Sequence, residues 1–260
     1  NNEENLNFVK SYSPKHPEVQ HLRILLHGPV SAGKSSFINS VDTVLHGEFR
    51  GRAQADGILA EGSFTKTYKN YRFPRESDPN NRYCFSINDI AGLEDIHGVH
   101  VDDVILALKG HVKDGYKFKP SSPLTKGDEG YNPFPTLQDQ VHVLVSVLPA
   151  TNQSILLEEM KKKMREIRSI ASELGIPQLA ILTKCDKACP AVAKRMANLY
   201  KSKYLKGMAD ELATMLGTSP NCIFLVKNYE EVTSIRDDID APILCALRQI
   251  ISSGDDFLND

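Results

Sequence analysis

At 260 residues, with 41% hydrophobic and 25% charged side chains, the chain is long enough for one large α/β domain or two small ones and has the composition of a folded protein. A formal net charge of -2 gives no global attraction to nucleic acid, so no direct nucleic-acid partner is expected. No apolar run approaches the ~20 residues that span a bilayer, the polar start is no signal peptide, and five cysteines without a CxxC pair suit reduced thiols; a cytoplasmic protein without membrane span or zinc site is expected.

In chain order, residues 1–20, with Pro14 and Pro17, read as a lead-in segment, and 21–260 as one domain. Leu22 to His27 is a short aliphatic run ending at a glycine, as a buried strand feeding a tight loop does. A helix follows from near Gly33, with Phe37, Ile38, Val41 and Leu45 at helical spacing, and Gly47 closes it. Phe64 to Phe73 and Tyr83 to Ile90 are β-type runs joined by the turn-rich Pro74 to Asn81, short enough for an antiparallel hairpin. Val99 to Lys109 reads as a helix, and Gly110 to Pro135, without a period, as a loop or an insertion. Val141 to Leu148, Gln178 to Thr183 and Cys222 to Val226 are further strands, each followed by a helical pattern: Ser154 to Leu174, Ala188 to Leu216 and Asp240 to Ser252. The alternation predicts a three-layer α/β fold, a six-stranded, mostly parallel sheet with one antiparallel edge strand, and the Gly28 to Ser35 motif after the first strand makes it one of the P-loop NTPase kind.

Three motifs fall at the ends of these strands, where open α/β sheets bind ligands. Gly28, Pro29, Val30, Ser31, Ala32, Gly33, Lys34 and Ser35 fill every slot of the phosphate-loop pattern. In such a loop, backbone N–H groups and the open helix N-terminus surround a β-phosphate. Lys34 adds a point charge for the β- and γ-phosphates, Ser35 a hydroxyl for Mg²⁺, and Ser36 lies nearer the α-phosphate. Asp89-Ile90-Ala91-Gly92 ends the third strand, where the aspartate can hold Mg²⁺ through water and the Gly92 N–H can sense a γ-phosphate; a plain strand-ending turn is the alternative. Lys34, Ser35 and Asp89 are thus the catalytic candidates, and Ser35 and Asp89 the metal ligands. Thr183-Lys184-Cys185-Asp186 follows another buried strand, where Asp186 also suits a helix N-cap.

With these motifs the chain resembles translation-factor-class GTPases with a dynamin-like TKxD motif. It is similar, more closely, to the interferon-induced protein 44 family, through GPVSAGKSSFINSV (Gly28 to Val41), DIAGLE (Asp89 to Glu94), DDVILALKGHVKDGYKF (Asp102 to Phe118) and LCALRQIISSGDDFL (Leu244 to Leu258). The likeness runs from about Leu22 to the C-terminus, and members commonly carry an extra N-terminal domain. The resemblance implies GTP or GDP as ligand with Mg²⁺, the Lys184 stem across the base, the Asp186 carboxylate on guanine N1 and N2, and Thr183 beside them. It also implies Lys227 and Asn228 on the other side of the base, and interferon-linked antiviral or antiproliferative roles.

Small G proteins place a water-orienting glutamine after the DxxG glycine, and Leu93 stands there. The expected activity is therefore slow or partner-dependent GTP hydrolysis, with a nucleotide-stabilised scaffold that does not turn GTP over as the alternative. A P-loop kinase or ATPase would require Thr183 to Asp186 to be coincidental. Ser63, Thr65 and Thr67 are switch candidates, ordinary strand residues being the competing reading. Arg50 and Arg52 are arginine-finger candidates, more simply solvated loop arginines. Protein partners, including a second copy of the chain, would engage the switch face; the Lys161 to Arg165 run reads as a solvated helix face.

Overall fold

The computed structural model describes residues 1–51, 53, 67–93, 98–151 and 158–260. Six strands form one sheet in the order β2-β3-β1-β4-β5-β6. They are β1 (Leu22–His27), β2 (Lys69–Pro74), β3 (Arg82–Asp89), β4 (Val143–Pro149), β5 (Gln178–Thr183) and β6 (Ile223–Leu225). All neighbours are parallel except the β2–β3 pair, which puts the antiparallel strand at the edge. The central strands are buried along almost their whole length, which explains their unbroken aliphatic runs: strands covered by helices on both faces need no polar alternation.

The helices fall into two sets. α1 (Asn2–Ser11) packs on α8 (Asp237–Asn259), which also lies on α2 (Lys34–His46), β1 and β4; α3 (Val101–Leu108), α4 (Glu158–Glu173) and α7 (Lys203–Leu216) pack in series. Residues 1–20 thus contain a helix, capped by the Asn1 side chain on the Glu3 N–H and anchored by the fully buried Val9. The helical pattern read as one element from Ala188 to Leu216 is several pieces: α5 (Cys185–Ala188), α6 (Pro190–Lys194), a 3₁₀ turn at Met196–Asn198, and α7. Pro190 is the cause of the first break. A residue before proline is pushed out of the helical region, and Cys189 is extended at φ -131°, ψ 109°.

The 110–135 segment has no regular element, yet it is tied down. Tyr68 N–H donates to the Tyr116 carbonyl (2.8 Å), Gly115 N–H to the Tyr68 carbonyl (2.7 Å), and Leu124 N–H to the buried Asp103 carboxylate (2.7 Å). Burial pushes the Asp103 carboxyl above the usual carboxylate range.

Candidate functional site

β1 lies between β3 and β4, so the chain leaves it at the point where successive connections depart to opposite sides of the sheet, the crevice in which doubly wound sheets bind ligands. The loop there is tightly constrained. Gly28 has φ +150°, and a Cβ on it would sit 2.1 Å from the Val147 carbonyl oxygen, so only glycine lets the loop lie on β4. Gly33, at φ +95°, opens α2 as its N-cap.

The carbonyls of this loop are held by its own Lys34 and by groups from outside it. Gly28 O accepts from Lys34 Nζ (3.2 Å) and the Leu93 N–H (3.3 Å), and Pro29 O accepts from Lys34 Nζ (2.8 Å). Ser31 O accepts from Lys184 Nζ (2.7 Å), Ala32 O from Thr183 Oγ1 (2.5 Å), and Gly33 O from Asn228 Nδ2 (3.2 Å). In a trans peptide the carbonyl and the following N–H point in opposite directions. Fixing the Ala32 and Gly33 carbonyls on one side therefore turns the Gly33 and Lys34 N–H groups to the other, at the open first turn of α2. That is the arrangement by which backbone amides and a helix N-terminus attract an anion. Lys34, buried at 2% exposure, brings its ammonium group beside it.

Below the loop, Ser35 Oγ donates to Asp89 Oδ2 at 3.0 Å, both side chains being buried. Hard oxygen donors of this kind suit Mg²⁺, which takes one or two protein ligands and completes its shell with water and phosphate. The Gly92 carbonyl accepts from the Val99 N–H (2.9 Å), and Leu93 is fully buried. On the opposite rim, Lys184 adopts φ 57° as the N-cap of α5, and Asp186 Oδ2 pairs with Lys227 Nζ at 3.2 Å. Between them the Cys185 thiol donates to the Leu182 carbonyl and is pushed up to about 12 by burial, so it stays a protonated packing group.

His27, at the end of β1, is fully buried with Nε2 2.8 Å from Ser146 Oγ. Burial, with the charges of Arg168 and Lys34, lowers its pKa to about 3.

The structure thus brings together the loop residues Gly28, Val30, Ser31, Ala32, Gly33, Lys34, Ser35 and Ser36, the β3 end at Asp89 and Gly92, and the β5 and β6 ends at Thr183, Lys184, Asp186, Lys227 and Asn228. Ser63, Thr65, Arg52 and Glu94 lie outside the described residues. Thr67 bridges to Lys117 instead, and Arg50 pairs with Glu48 at 3.1 Å. One residue absent from the motifs stands in the site: Glu230, whose Oε1 accepts from Ser36 Oγ. Nothing local in the sequence announces it beyond its place two residues after Asn228.

Sheet order and phosphate loop together define a P-loop NTPase fold. No protein-family model matches the chain. Along nearly its whole length the chain is homologous to interferon-induced protein 44 proteins: it is 31% identical to the human interferon-induced protein 44-like over 254 residues, 97% of this chain and 56% of that protein. The mouse interferon-induced protein 44 is also 31% identical, over 98% of this chain and 60% of its own length, so the chain spans little more than half of these relatives. Among solved structures, a probable GTP-binding protein engB aligns with a TM-score of 0.44 at 14% identity, covering 87% of this chain and 99% of its own.

Proposed function

We propose that the chain binds GTP or GDP with Mg²⁺ and hydrolyses GTP slowly or only with a partner, and that it shares in the interferon-linked role its relatives' names describe. The observation that carries the reading is the Ser35–Asp89 contact at the base of a loop whose carbonyls are held outward by Lys184, Thr183 and Asn228. That arrangement supports reading Ser35 and Asp89, the loop amides and the TKxD rim as parts of one nucleotide site.

In this reading the loop amides and Lys34 bind the β- and γ-phosphates. Ser35, with Asp89 behind it, holds Mg²⁺, which when bound neutralises charge developing on the phosphate oxygens. Asp186 accepts from guanine N1 and N2, with Lys227 setting the direction of its carboxylate through Oδ2. Leu93, an apolar side chain where small G proteins carry a water-orienting glutamine, supports slow turnover.

Isothermal titration of nucleotide-free protein with GDP, GTPγS and ATP in Mg²⁺ buffer tests the proposal. Guanine binding without ATP binding, abolished by Lys34→Ala, is the expected result, and ATP binding of equal strength would sink the guanine assignment. A second reading, a nucleotide-stabilised scaffold without turnover, is favoured by Leu93, which is wholly buried and tied by its N–H to Gly28. Turnover measured across protein concentrations separates the two: a rate rising with concentration indicates that a second copy completes the site, and zero turnover at every concentration selects the scaffold.

A further inference from the structure

After β6 the chain lies along the first turns of α2 and is fastened there repeatedly. Asn228 Nδ2 donates to the Gly33 carbonyl, Ser36 Oγ donates to Glu230 Oε1, and the Tyr229 N–H donates to Ser40 Oγ at 2.9 Å. Tyr229 is itself anchored: its hydroxyl donates to Asp240 Oδ1 (2.6 Å) and accepts from the Arg236 N–H (2.9 Å), and its ring meets the edge of Phe49. Glu231 then turns the chain away at φ +56°, a left-handed conformation that a non-glycine residue adopts only when its surroundings impose it. The Glu230 carboxylate is therefore held on Ser36, the third residue of α2, within the turn where the helix dipole draws negative charge. A second feature of the same place points to a ligand. Asn228 Oδ1 is buried without a donor among the described residues, an acceptor that the N–H or O–H groups of a nucleotide's base or ribose, not its phosphate oxygens, could satisfy.

We propose that Glu230 is an internal competitor for the α-phosphate side of the nucleotide site, an affinity-determining residue whose carboxylate occupies the helix turn that the α-phosphate approaches. The inference rests on the guanine-nucleotide reading above. Its physical basis is that two anions cannot share one helix N-terminus without mutual repulsion. A phosphate-bearing nucleotide reaches full affinity only when Glu230 swings off Ser36 or loses its charge, and the free protein is stabilised by the same contact the nucleotide must break.

The test is titration of GDP and GTPγS into the wild-type chain, Glu230→Gln and Glu230→Ala at low and high salt, with thermal unfolding of each protein alone. Glu230→Gln keeps the acceptor for Ser36 and the side-chain volume while removing the charge. The expected result is GDP binding at least roughly tenfold tighter in the glutamine variant, the size of one like charge about 3 Å away even at the full screening of bulk water. That gap should narrow as salt rises, with no gain in melting temperature for the free protein. Should Glu230→Ala fail to fold, the isosteric variant decides alone. Unchanged or weaker GDP affinity in a folded Glu230→Gln, with the wild type binding normally, would overturn the competitor role and leave the nucleotide reading standing. Failure of wild type and variants alike to bind GDP while folded would refute the nucleotide reading, and Glu230's role with it.

Discussion

Replacing Gly28 by alanine should be among the costliest single-methyl changes in this protein, and the structure separates its cause from ordinary glycine effects. The added Cβ would lie 2.1 Å from the Val147 carbonyl oxygen and 3.2 Å from its carbon, backbone atoms fixed in the buried β4, at a φ of +150° that L-residues rarely adopt. Backbone strain of this kind costs roughly 1–3 kcal/mol, and a contact that a rigid neighbour cannot relieve adds about 1–3 kcal/mol more. The expected loss is therefore about 2–6 kcal/mol, a large part of the roughly 5–15 kcal/mol that holds a domain together. Gly47→Ala is the internal control, since Gly47 also has a positive φ, +67°, but nothing lies within 4 Å of its Cβ. Strain alone should cost it about 1–2 kcal/mol. Urea unfolding of wild type and both variants measures the difference, with unchanged m-values as the check that the transition is the same. If Gly28→Ala loses no more than Gly47→Ala, the close seating of the loop on Val147 does not constrain the fold and the reasoning fails.

Asp186→Asn should weaken GDP by about 2–4 kcal/mol, the loss of a charge-assisted pair of hydrogen bonds, while xanthosine diphosphate gains; parallel titrations read the crossover, and unchanged guanine affinity would remove Asp186 from the base. Because burial lowers His27 to about 3, well under its ordinary 6.5, the unfolded chain binds the proton first as pH falls. The contribution of His27 is thus fully present above pH 6.5 and is lost toward pH 3, at up to about 1.4 kcal/mol per pH unit. His27→Gln should flatten that part of a stability–pH curve, and an unaltered slope would contradict the burial argument. Leu93→Gln, although it restores the glutamine of small G proteins, should lower stability by about 1–3 kcal/mol through an unpartnered buried amide; a faster GTPase of undiminished stability would show that this position opens to the site.

What the sequence made legible was what short stretches of chain determine. The phosphate loop is contiguous, so Gly28 to Ser35 could be read with its helix, and the β2–β3 hairpin followed from two β-type runs and the turn between them. The breaks before α7 had readable signals in Pro190 and in Ser202, whose side chain accepts from the Leu205 N–H; a strong apolar period across the region masked them. α1 carried its own cap and first-turn acids, Asn1, Glu3 and Glu4, but the element it packs on, α8, is distant in the chain. Glu230 on Ser36 and Thr183 on Ala32 belong to the same category, since no local pattern specifies that a side chain will meet a backbone carbonyl or a hydroxyl more than a hundred positions away.

The outward fastening of the loop carbonyls has a temporal consequence. Thr183 is 151 residues from Ala32, and Asn228 is 195 from Gly33. Contacts of such long range are the slow ones to form, because each requires a large loop of chain to close first. During synthesis the glycine-rich turn emerges early, yet the two side chains that shape it are translated far later. The anion-binding form should therefore appear only as β5 and β6 dock onto the growing sheet, which makes ligand affinity a late reporter of correct folding, and a nascent chain ending before Asn228 should expose the motif without the function.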